Sequence, residues 1–364
     1  MRIVVKIGTS SVTEDSGQIR DAAIGSLCDQ VAGARVLGHE VIIVSSGAVA
    51  GGVGALGLEA RPVDTLTLQA VSAVGQSVLM SVYNAHLSRH GLIGAQVLLV
   101  PHDFIDRSQY LHARATLRRL LDLGCVPVIN ENDAIASDEI RFGDNDRIAA
   151  LVAHLVRADV LVLLTDTAGL YTADPTRDLS ARLIAVVAAD DPLLAVRATS
   201  SGSRVGSGGM ASKLAAARIA SWSGVRTVIA AATRPDVLAG AIAGDVATGT
   251  QFLPRDRDLS ARKLWIAFAA QAAGSVIVDR GAREALTTRS SSLLHAGVLE
   301  VRGDFSAGDT VEIVDPDGAT FARGMVLIDA VRAAAAAGRT RDALPEDIAS
   351  ELVHRDDLVV LTAR

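Results

Sequence analysis

The chain has 364 residues, a formal net charge of −6 and 49% apolar residues, and only 3% of its residues are aromatic. This length predicts about two domains, with a large core built mainly from Val, Leu, Ile and Ala. The acidic balance argues against a general nucleic-acid-binding protein. Cys28 and Cys125 form no CxxC pair, so we expect two reduced, structural thiols.

We expect no signal peptide in the first residues. Met1 leads directly into RIVVKIG, which lacks the hydrophobic region and the cleavage site of a signal peptide. We expect no apolar run of transmembrane length. The sequence therefore predicts a cytoplasmic protein that does not associate with a membrane.

Short β-branched runs alternate with Ala- and Leu-rich helical segments in the first part of the chain. The predicted strands are Ile3–Ile7, Val41–Ser45, Ala95–Val100, Val126–Asn130, Val160–Thr165 and Thr227–Ala231. The predicted helices are Asp21–Leu37, Thr65–Arg89, Ser108–Leu123, Asn145–Arg157 and Gly209–Ser223. Several strands are almost continuously apolar, as in sheets with helices on both faces. The pattern predicts an α/β domain with an open, mostly parallel sheet sandwiched by helices, and ligands bound at the carboxyl ends of the strands.

The pattern changes after about residue 254. The charged stretch PRDRDLSARK predicts a linker over 255–272, between a domain at 1–254 and a smaller domain at 273–364. Short strand-like runs and the turn signal DPDG at 315–318 predict a mostly β fold for the smaller domain. Residues 255–364 contain 14 Lys and Arg against 17 Asp and Glu, a net charge of −3, which speaks against a nucleic-acid ligand.

Glycines and small polar residues gather at the predicted strand ends. Lys6 lies in an apolar strand, where its burial is costly unless an anion meets it, and Gly8 lets the chain approach a ligand closely. The second strand ends in Ser45, Ser46 and Gly47, in a similar pattern. Both segments suit an anion. The alternatives are a lysine that reaches solvent and an ordinary tight turn.

The segment GSGGMASK at 206–213 places three glycines before an alanine-rich helix. A helix N-terminus offers unpaired N–H groups and a partial positive charge, and Lys213 adds a mobile point charge. The segment therefore predicts a phosphate site, although its spacing is not that of a Walker A loop. A flexible surface loop is the alternative.

Two further segments concentrate amides and carboxylates. Residues 130–133 read NEND and residues 143–146 read GDND, which suits an amino group, a carboxylate or a metal, although Asp144 or Asn145 could simply cap a helix. Thr165 and Asp166, followed by GLYTADP at 169–175, suit a nucleotide's ribose or base. No Ser/His/Asp or Cys/His arrangement is evident. The inventory of lysines, glycines and small acids favours phosphoryl transfer over hydrolysis by a histidine base.

Six segments in order resemble the amino acid kinase family, and within it the glutamate 5-kinases. They are KIGTS at 6–10, VSSGAVAGG at 44–52, VINENDA at 128–134, FGDND at 142–146, LLTDTAGLYTADP at 163–175 and GSGGMASK at 206–213. The tail resembles a PUA domain through RSSSLLHAGV at 289–298 and HRDD at 354–357. Ser290 and His295 depart from the usual PUA pattern.

The resemblance implies ATP-dependent phosphorylation of the γ-carboxylate of L-glutamate, the first step of proline biosynthesis, with Mg²⁺ bridging the β- and γ-phosphates. It implies catalytic roles for Lys6, Lys213 and Asp146, with Asp146 orienting both lysines. Glutamate would be held by Ser46, Gly47, Asp133 and Asn145. ATP would be held by Lys6, Gly8, Thr165, Asp166, Ser207, Gly208, Gly209, Met210, Ala211, Ser212 and Lys213. No protein ligand for the metal is implied.

The resemblance also implies a homo-oligomer, a dimer or a tetramer, and feedback inhibition by L-proline. Two alternatives stay open at the level of the sequence. One is another member of the same family that acts on a different carboxylate or on a carbamate. The other is an RNA-binding protein that acts through the PUA-like tail, which the net charge of that tail disfavours.

Overall fold

A computed structural model describes residues 1–14, 18–104, 106–135, 145–189, 191, 208–255, 259–270, 272–289 and 291–361. The chain forms two compact units, Met1–Asp258 and Leu259–Arg364. Each unit has its own hydrophobic core.

The first unit is built on one large sheet. Its strands are β1 (Arg2–Ile7), β2 (Glu40–Val44), β3 (Gly94–Leu99), β4 (Val126–Glu131), β5 (Val160–Thr165), β6 (Val186–Val187), β7 (Arg226–Ala231) and β8 (Thr250–Phe252). They form an eight-stranded sheet in the order β3-β4-β2-β1-β5-β7-β8-β6. Every pairing is parallel except that of β7 with β8. The predicted α/β class with an open, mostly parallel sheet is confirmed.

Helices cover the sheet. They are α1 (Thr9–Val12), α2 (Asp21–Val36), α3 (Ala48–Ala55), α4 (Thr65–Ser88), α5 (Arg107–Asp122), α6 (Asn145–Val156), α7 (Gly208–Trp222) and α8 (Val237–Ala243). The ends of the strands and helices predicted from the sequence differ from the observed ends by at most one residue. The reason is their strong apolar character: every residue of β5, for example, is buried.

Helix α4 is long and apolar enough, by length and composition, to cross a membrane, although the sequence led us to expect no apolar run of that length. Its side chains Leu68, Val71, Leu79 and Leu87 are nevertheless buried in the first unit, where the helix packs against α2 and α3. The burial of this face accounts for the apolar composition, and α4 is a core helix of the first unit.

Glycines allow α3 and α4 to cross at very short range. A Cβ atom at Gly75 of α4 would lie 1.7 Å from the backbone oxygen of Ala48, and a Cβ atom at Gly52 of α3 would lie 1.9 Å from that of Val71. No side chain fits in this space, so both positions require glycine. The close crossing fixes α4 against the helix that follows β2.

The second unit contains a smaller sheet. Its strands are β9 (Gly274–Val278), β10 (Leu293–Leu294), β11 (Val298–Gly303), β12 (Thr310–Val314), β13 (Thr320–Val326) and β14 (Glu351–Val360), and its helices are α9 (Ala261–Leu264), α10 (Arg280–Arg289) and α11 (Ala330–Ala336). The strands form a six-stranded sheet in the order β10-β14-β13-β12-β9-β11. All pairings are antiparallel except that of β9 with β12. The unit is the β-rich domain that the sequence predicted.

The segment 255–272, predicted as a linker, is partly folded into the second unit. It contains α9 and a π-helical turn, Trp265–Ala269. Leu264 and Ile266 are fully buried, Arg262 forms an ion pair with Asp357, and Arg323 donates a hydrogen bond to a backbone oxygen of this turn. Of the charged residues that suggested a linker, Arg262 and Lys263 therefore lie on a helical segment that packs against β13 and β14.

Candidate active site

Those polar residues singled out from the sequence that the structure describes lie at one edge of the large sheet. β4, β2, β1 and β5 are consecutive parallel neighbours, so their carboxyl ends lie side by side. Lys6 lies near the end of β1, in register with Val44 of β2 and Leu163 of β5. In open parallel sheets this edge is where ligands bind.

Asp146, in the first turn of α6, lies between two buried lysines. Its Oδ1 is 2.8 Å from the Nζ of Lys6, and its Oδ2 is 3.2 Å from the Nζ of Lys213 on α7. The side chains of Lys6, Asp146 and Lys213 are 7%, 4% and 9% exposed, respectively. We call these three residues the lysine–aspartate cluster. It joins β1, α6 and α7 through charges that would be costly to bury unpaired.

The charge of the cluster follows from the surroundings of Asp146. Burial by itself would raise the pKa of Asp146, but the charges of Lys6 and Lys213, with hydrogen bonds from Lys6 and Ser212, outweigh it and hold the pKa below its usual range. The Ser212 hydroxyl donates to Oδ2 at 2.6 Å. The aspartate is therefore ionised at neutral pH, and two ammonium groups with one carboxylate leave one net positive charge.

Space beside the two lysines is kept open by glycine. A Cβ atom at Gly8 would lie 3.3 Å from the Nζ of Lys6, whereas a Cβ atom at Gly209, in the first turn of α7, would meet nothing within 4 Å. The first N–H groups of α7 also lack partners within their own helix. Two cations, open glycine backbone and a helix N-terminus are the features that suit a polyphosphate.

The predicted phosphate-binding loop is not a loop over most of its length. Residues 208–213 form the first turns of α7, which starts at Gly208. Ser207 lies outside the described residues. Lys213 donates to the backbone oxygen of Gly209 at 3.4 Å as well as to Asp146. Lys213 therefore projects from a helix, which restricts its position more than a loop would.

A second group of polar side chains joins the ends of β2 and β4 to α6. The Nδ2 of Asn145 donates to the Oγ of Ser46 at 3.1 Å and to the Oδ1 of Asn130 at 2.9 Å, and its Oδ1 accepts from the backbone N–H of Glu131 at 3.2 Å. Both amide hydrogens of Asn145 are thus engaged. Gly47, which follows Ser46, has φ = 100° and precedes α3, a conformation that favours glycine.

Asp133 lies just beyond β4. It is 8% exposed, and its Oδ2 accepts a 2.6 Å hydrogen bond from the hydroxyl of Ser72 on α4. Burial raises its pKa above the usual range, while the Ser72 hydrogen bond and the charge of Arg61 act in the opposite direction. Asp144, of the GDND segment, lies outside the described residues.

Thr165 ends β5, the strand next to β1, and Asp166 follows it. Thr165 is buried and donates to the Oδ1 of the exposed Asp166 at 3.0 Å. The chain then turns at Gly169, where a Cβ atom would lie 2.6 Å from the Oγ1 of Thr250. The pair is placed beside the lysine–aspartate cluster by the pairing of β5 with β1. Within the described ranges, no group of three His, Cys, Asp or Glu side chains is arranged to hold a metal ion.

Two features of the site escaped the sequence analysis. The chain has only three lysines among 35 Lys and Arg residues, and two of them, Lys6 and Lys213, meet at Asp146. That scarcity is a compositional signal that could have singled them out. The contact of Ser72 with Asp133 was also missed, because a serine within an apolar helix carries no distinctive motif.

Known protein families match parts of both units of the chain. The amino acid kinase family matches residues 1–231, and the PUA domain matches residues 274–344. The chain is 46% identical to a glutamate 5-kinase of Bifidobacterium adolescentis over 99% of its own length and 95% of that protein. It is 47% identical to a glutamate 5-kinase of Thermobifida fusca and 45% identical to one of Burkholderia multivorans, again over 99% of this chain and over 93% and 98% of those proteins. The chain therefore belongs to the amino acid kinase family and carries a PUA domain in its second unit.

Proposed function

We propose that this chain is a glutamate 5-kinase. It transfers the γ-phosphoryl group of ATP to the γ-carboxylate of L-glutamate and yields L-glutamyl 5-phosphate and ADP. The observation that carries the proposal is the lysine–aspartate cluster at the carboxyl edge of the sheet, in a chain whose whole length matches glutamate 5-kinases. The reaction is the first step of proline biosynthesis.

The main obstacle in this reaction is electrostatic. A glutamate side chain has a pKa of about 4.3, so the acceptor is already an anion at neutral pH and needs no general base. It must approach a polyanionic phosphate, and Lys6 and Lys213 would offset the repulsion. Because donors fixed by the fold need no reorganisation, they stabilise the charge of the transition state most effectively. Asp146 would hold both ammonium groups in place through its two oxygens.

Mg²⁺ would enter with the nucleotide, held mainly by phosphate oxygens and water, and would neutralise charge on the β- and γ-phosphates. The net positive charge of the lysine–aspartate cluster and the open backbone at Gly8 and Gly209 fit such a phosphate group. We assign the remaining nucleotide contacts to the first turns of α7, to Ser207, and to Thr165 and Asp166.

We assign the glutamate site to Ser46, Gly47, Asp133 and Asn145. The buried carboxylate of Asp133 is the group best suited to the substrate's ammonium. Since both amide hydrogens of Asn145 are already donated, this side chain can only accept a hydrogen bond from the substrate through its oxygen. Its main role would then be to hold Ser46 and the end of β4 in position.

A substrate panel tests the proposal. ADP release from ATP and Mg²⁺ would be measured with L-glutamate, L-aspartate, N-acetyl-L-glutamate and carbamate as acceptors. We expect kcat/KM for L-glutamate to exceed the others by at least about 100-fold, since an enzyme that misplaces the acceptor loses rate steeply. Higher activity with another acceptor would instead support a different kinase of the same family.

We further propose that L-proline inhibits the enzyme, because it is the end product of the route that this reaction opens. L-Proline is expected to raise the apparent KM for glutamate, and an unchanged rate at high proline would refute this.

We also propose a homo-oligomer, dimer or tetramer, in the cytoplasm. Light scattering after gel filtration measures the assembly, and a monomeric mass would contradict it.

A further inference from the structure

Helix α4 combines an uncharged sequence with a row of buried polar side chains. Its 24 residues include no Asp, Glu, Lys or Arg. Ser72, Gln76 and Tyr83 are nevertheless buried, with 1%, 7% and 0% exposure. Their spacing of four and seven residues places them on one face of the helix. Buried polar groups in such a helix call for specific partners.

Each of these side chains contacts a residue that follows or ends β2 or β4. Ser72 donates to the Oδ2 of Asp133 at 2.6 Å. Gln76 donates through Nε2 to the backbone oxygen of Glu131 at 3.4 Å. The hydroxyl of Tyr83 is 2.9 Å from the Oγ of Ser45. α4 thus contacts the ends of both strands, β2 and β4, that lead into the proposed glutamate site.

The direction of the hydrogen bonds at Ser45 follows from donor counting. Ser45 donates its only hydroxyl hydrogen to the backbone oxygen of Ser46 at 3.2 Å. Burial raises the pKa of Tyr83, so its hydroxyl stays protonated and donates to Ser45. Hydrogen bonds therefore run from the Tyr83 hydroxyl to the Ser45 hydroxyl, and from the Ser45 hydroxyl to the backbone oxygen of Ser46.

The position of α4 is itself restricted. The crossing at Gly52 and Gly75 leaves no space for a Cβ atom between α3 and α4. Ser72 lies about one turn before Gly75, so the crossing also restricts the backbone position of Ser72. Because α3 begins directly after Gly47, the same packing also fixes the segment that carries Ser46.

We propose that Ser72 is a positioning residue for substrate binding, which acts by orienting the carboxylate of Asp133 toward the ammonium group of the substrate. The proposal rests on the proposed function, in which Asp133 binds L-glutamate. The Ser72 hydroxyl occupies Oδ2 and leaves Oδ1 to the substrate. It also stabilises the ionised form of a carboxylate that burial disfavours. Without this hydroxyl, the carboxylate loses both its orientation and part of its charge stabilisation.

Kinetics of Ser72→Ala test the proposal. We expect KM for L-glutamate to rise about tenfold, the loss of roughly one charge-assisted hydrogen bond, while kcat and KM for ATP change less than about twofold. Ser72→Cys is similar in shape, with a somewhat larger side chain, but donates weakly, so its KM is expected to lie between those of wild type and Ser72→Ala. The matched control is Ser77→Ala, at an exposed position of the same helix, which should leave all parameters unchanged.

A double-mutant cycle identifies the partner through which Ser72 acts. In an Asp133→Asn background, Ser72→Ala is expected to change kcat/KM for glutamate by less than about twofold, because the group that it orients has been altered. If the losses in kcat/KM of the two single variants add in the double variant, Ser72 is only a packing residue. The same holds if Ser72→Ala lowers kcat and raises both KM values by equal factors. If Ser72→Ala does not fold, Ser72→Cys replaces it in the comparison with wild type. A normal KM for glutamate in Ser72→Cys then overturns the proposal.

Assays of the wild-type protein distinguish a failure of the proposed function from a failure of the proposed role of Ser72. Absence of activity on L-glutamate would refute the proposed function. Normal wild-type activity together with an unchanged KM in Ser72→Ala would refute only the role of Ser72.

Discussion

Replacement of Asp146 by asparagine removes one negative charge and almost no volume. In the wild-type protein the carboxylate lies 2.8 Å from the Nζ of Lys6 and 3.2 Å from that of Lys213. In the variant the two ammonium groups remain buried beside a neutral amide, without a shared counter-charge. We expect Asp146→Asn to lose both folding stability and catalytic rate.

The expected loss of folding stability follows from these distances. At an effective dielectric constant of about 20, separations of 2.8 and 3.2 Å correspond to gross attractions of about 6 and 5 kcal/mol. Desolvation cancels part of this, and breaking a buried ion pair typically costs roughly 3–5 kcal/mol. For a unit of this size the loss lowers the Tm by about 10 °C. With both lysines displaced, we expect kcat to fall at least about 100-fold.

Thermal unfolding at several pH values, in the presence and absence of phosphate, measures the effect. The folded-state pKa of Asp146 is depressed, so its contribution to stability is present above the unfolded pKa of about 3.9 and is lost as the pH falls through the folded value. The difference between wild type and variant should therefore shrink in acid. Phosphate should stabilise the variant more than the wild type, since the variant has two uncompensated charges. Equal Tm values at pH 7 would refute the reasoning.

Other predictions concern single positions. Lys6→Ala and Lys213→Ala should each lower kcat by roughly 100-fold or more with the fold retained. Lys213→Arg should not restore kcat, because a planar guanidinium does not replace a compact ammonium group. Circular dichroism and steady-state kinetics check this, and near-normal kcat in Lys213→Ala would contradict it. Asp133→Asn should raise the KM for glutamate more than that for ATP. Asp133→Asn should also slightly raise the Tm at neutral pH. A group with a raised folded pKa contributes stability only at low pH and loses it as the pH rises through the folded value. An unchanged or lower Tm at pH 7 would count against the burial argument. Gly75→Ala should lower stability by about 3 kcal/mol or more, since its Cβ would lie 1.7 Å from the backbone oxygen of Ala48; urea unfolding measures it, and an unchanged midpoint would show that the helices can separate at no cost.

Long, buried elements were predictable because a single physical pattern dominates them. β5 reads VLVLLT and is buried at every residue, so its apolar run alone indicates a strand covered on both faces. Short elements carry no such pattern. β6 has two residues and β8 has three, too few to show a periodicity, and the antiparallel pairing of β8 could not be read from them.

In the candidate site, the sequence indicated which residues approach the sheet edge but not which atoms meet. Lys6, Asp146 and Lys213 stand in recognisable segments, and the resemblance implied that they act together. The contact of Ser72 with Asp133 depends on the crossing of α3 and α4, which joins residues 61 positions apart. Only the packed structure brings that pair together, because no local pattern relates the two segments.

The scarcity of lysine makes the protein suitable for chemical footprinting. Apart from the N-terminus, an amine-directed reagent can modify only Lys6, Lys213 and Lys263. The first two are less than one-tenth exposed and share an aspartate, whereas Lys263 is half-buried on the second unit. Acylation of Lys6 and Lys213 therefore reports on access to the candidate active site. Mass spectrometry of the unaltered chain can follow that access at two named atoms, with Lys263 as an internal reference.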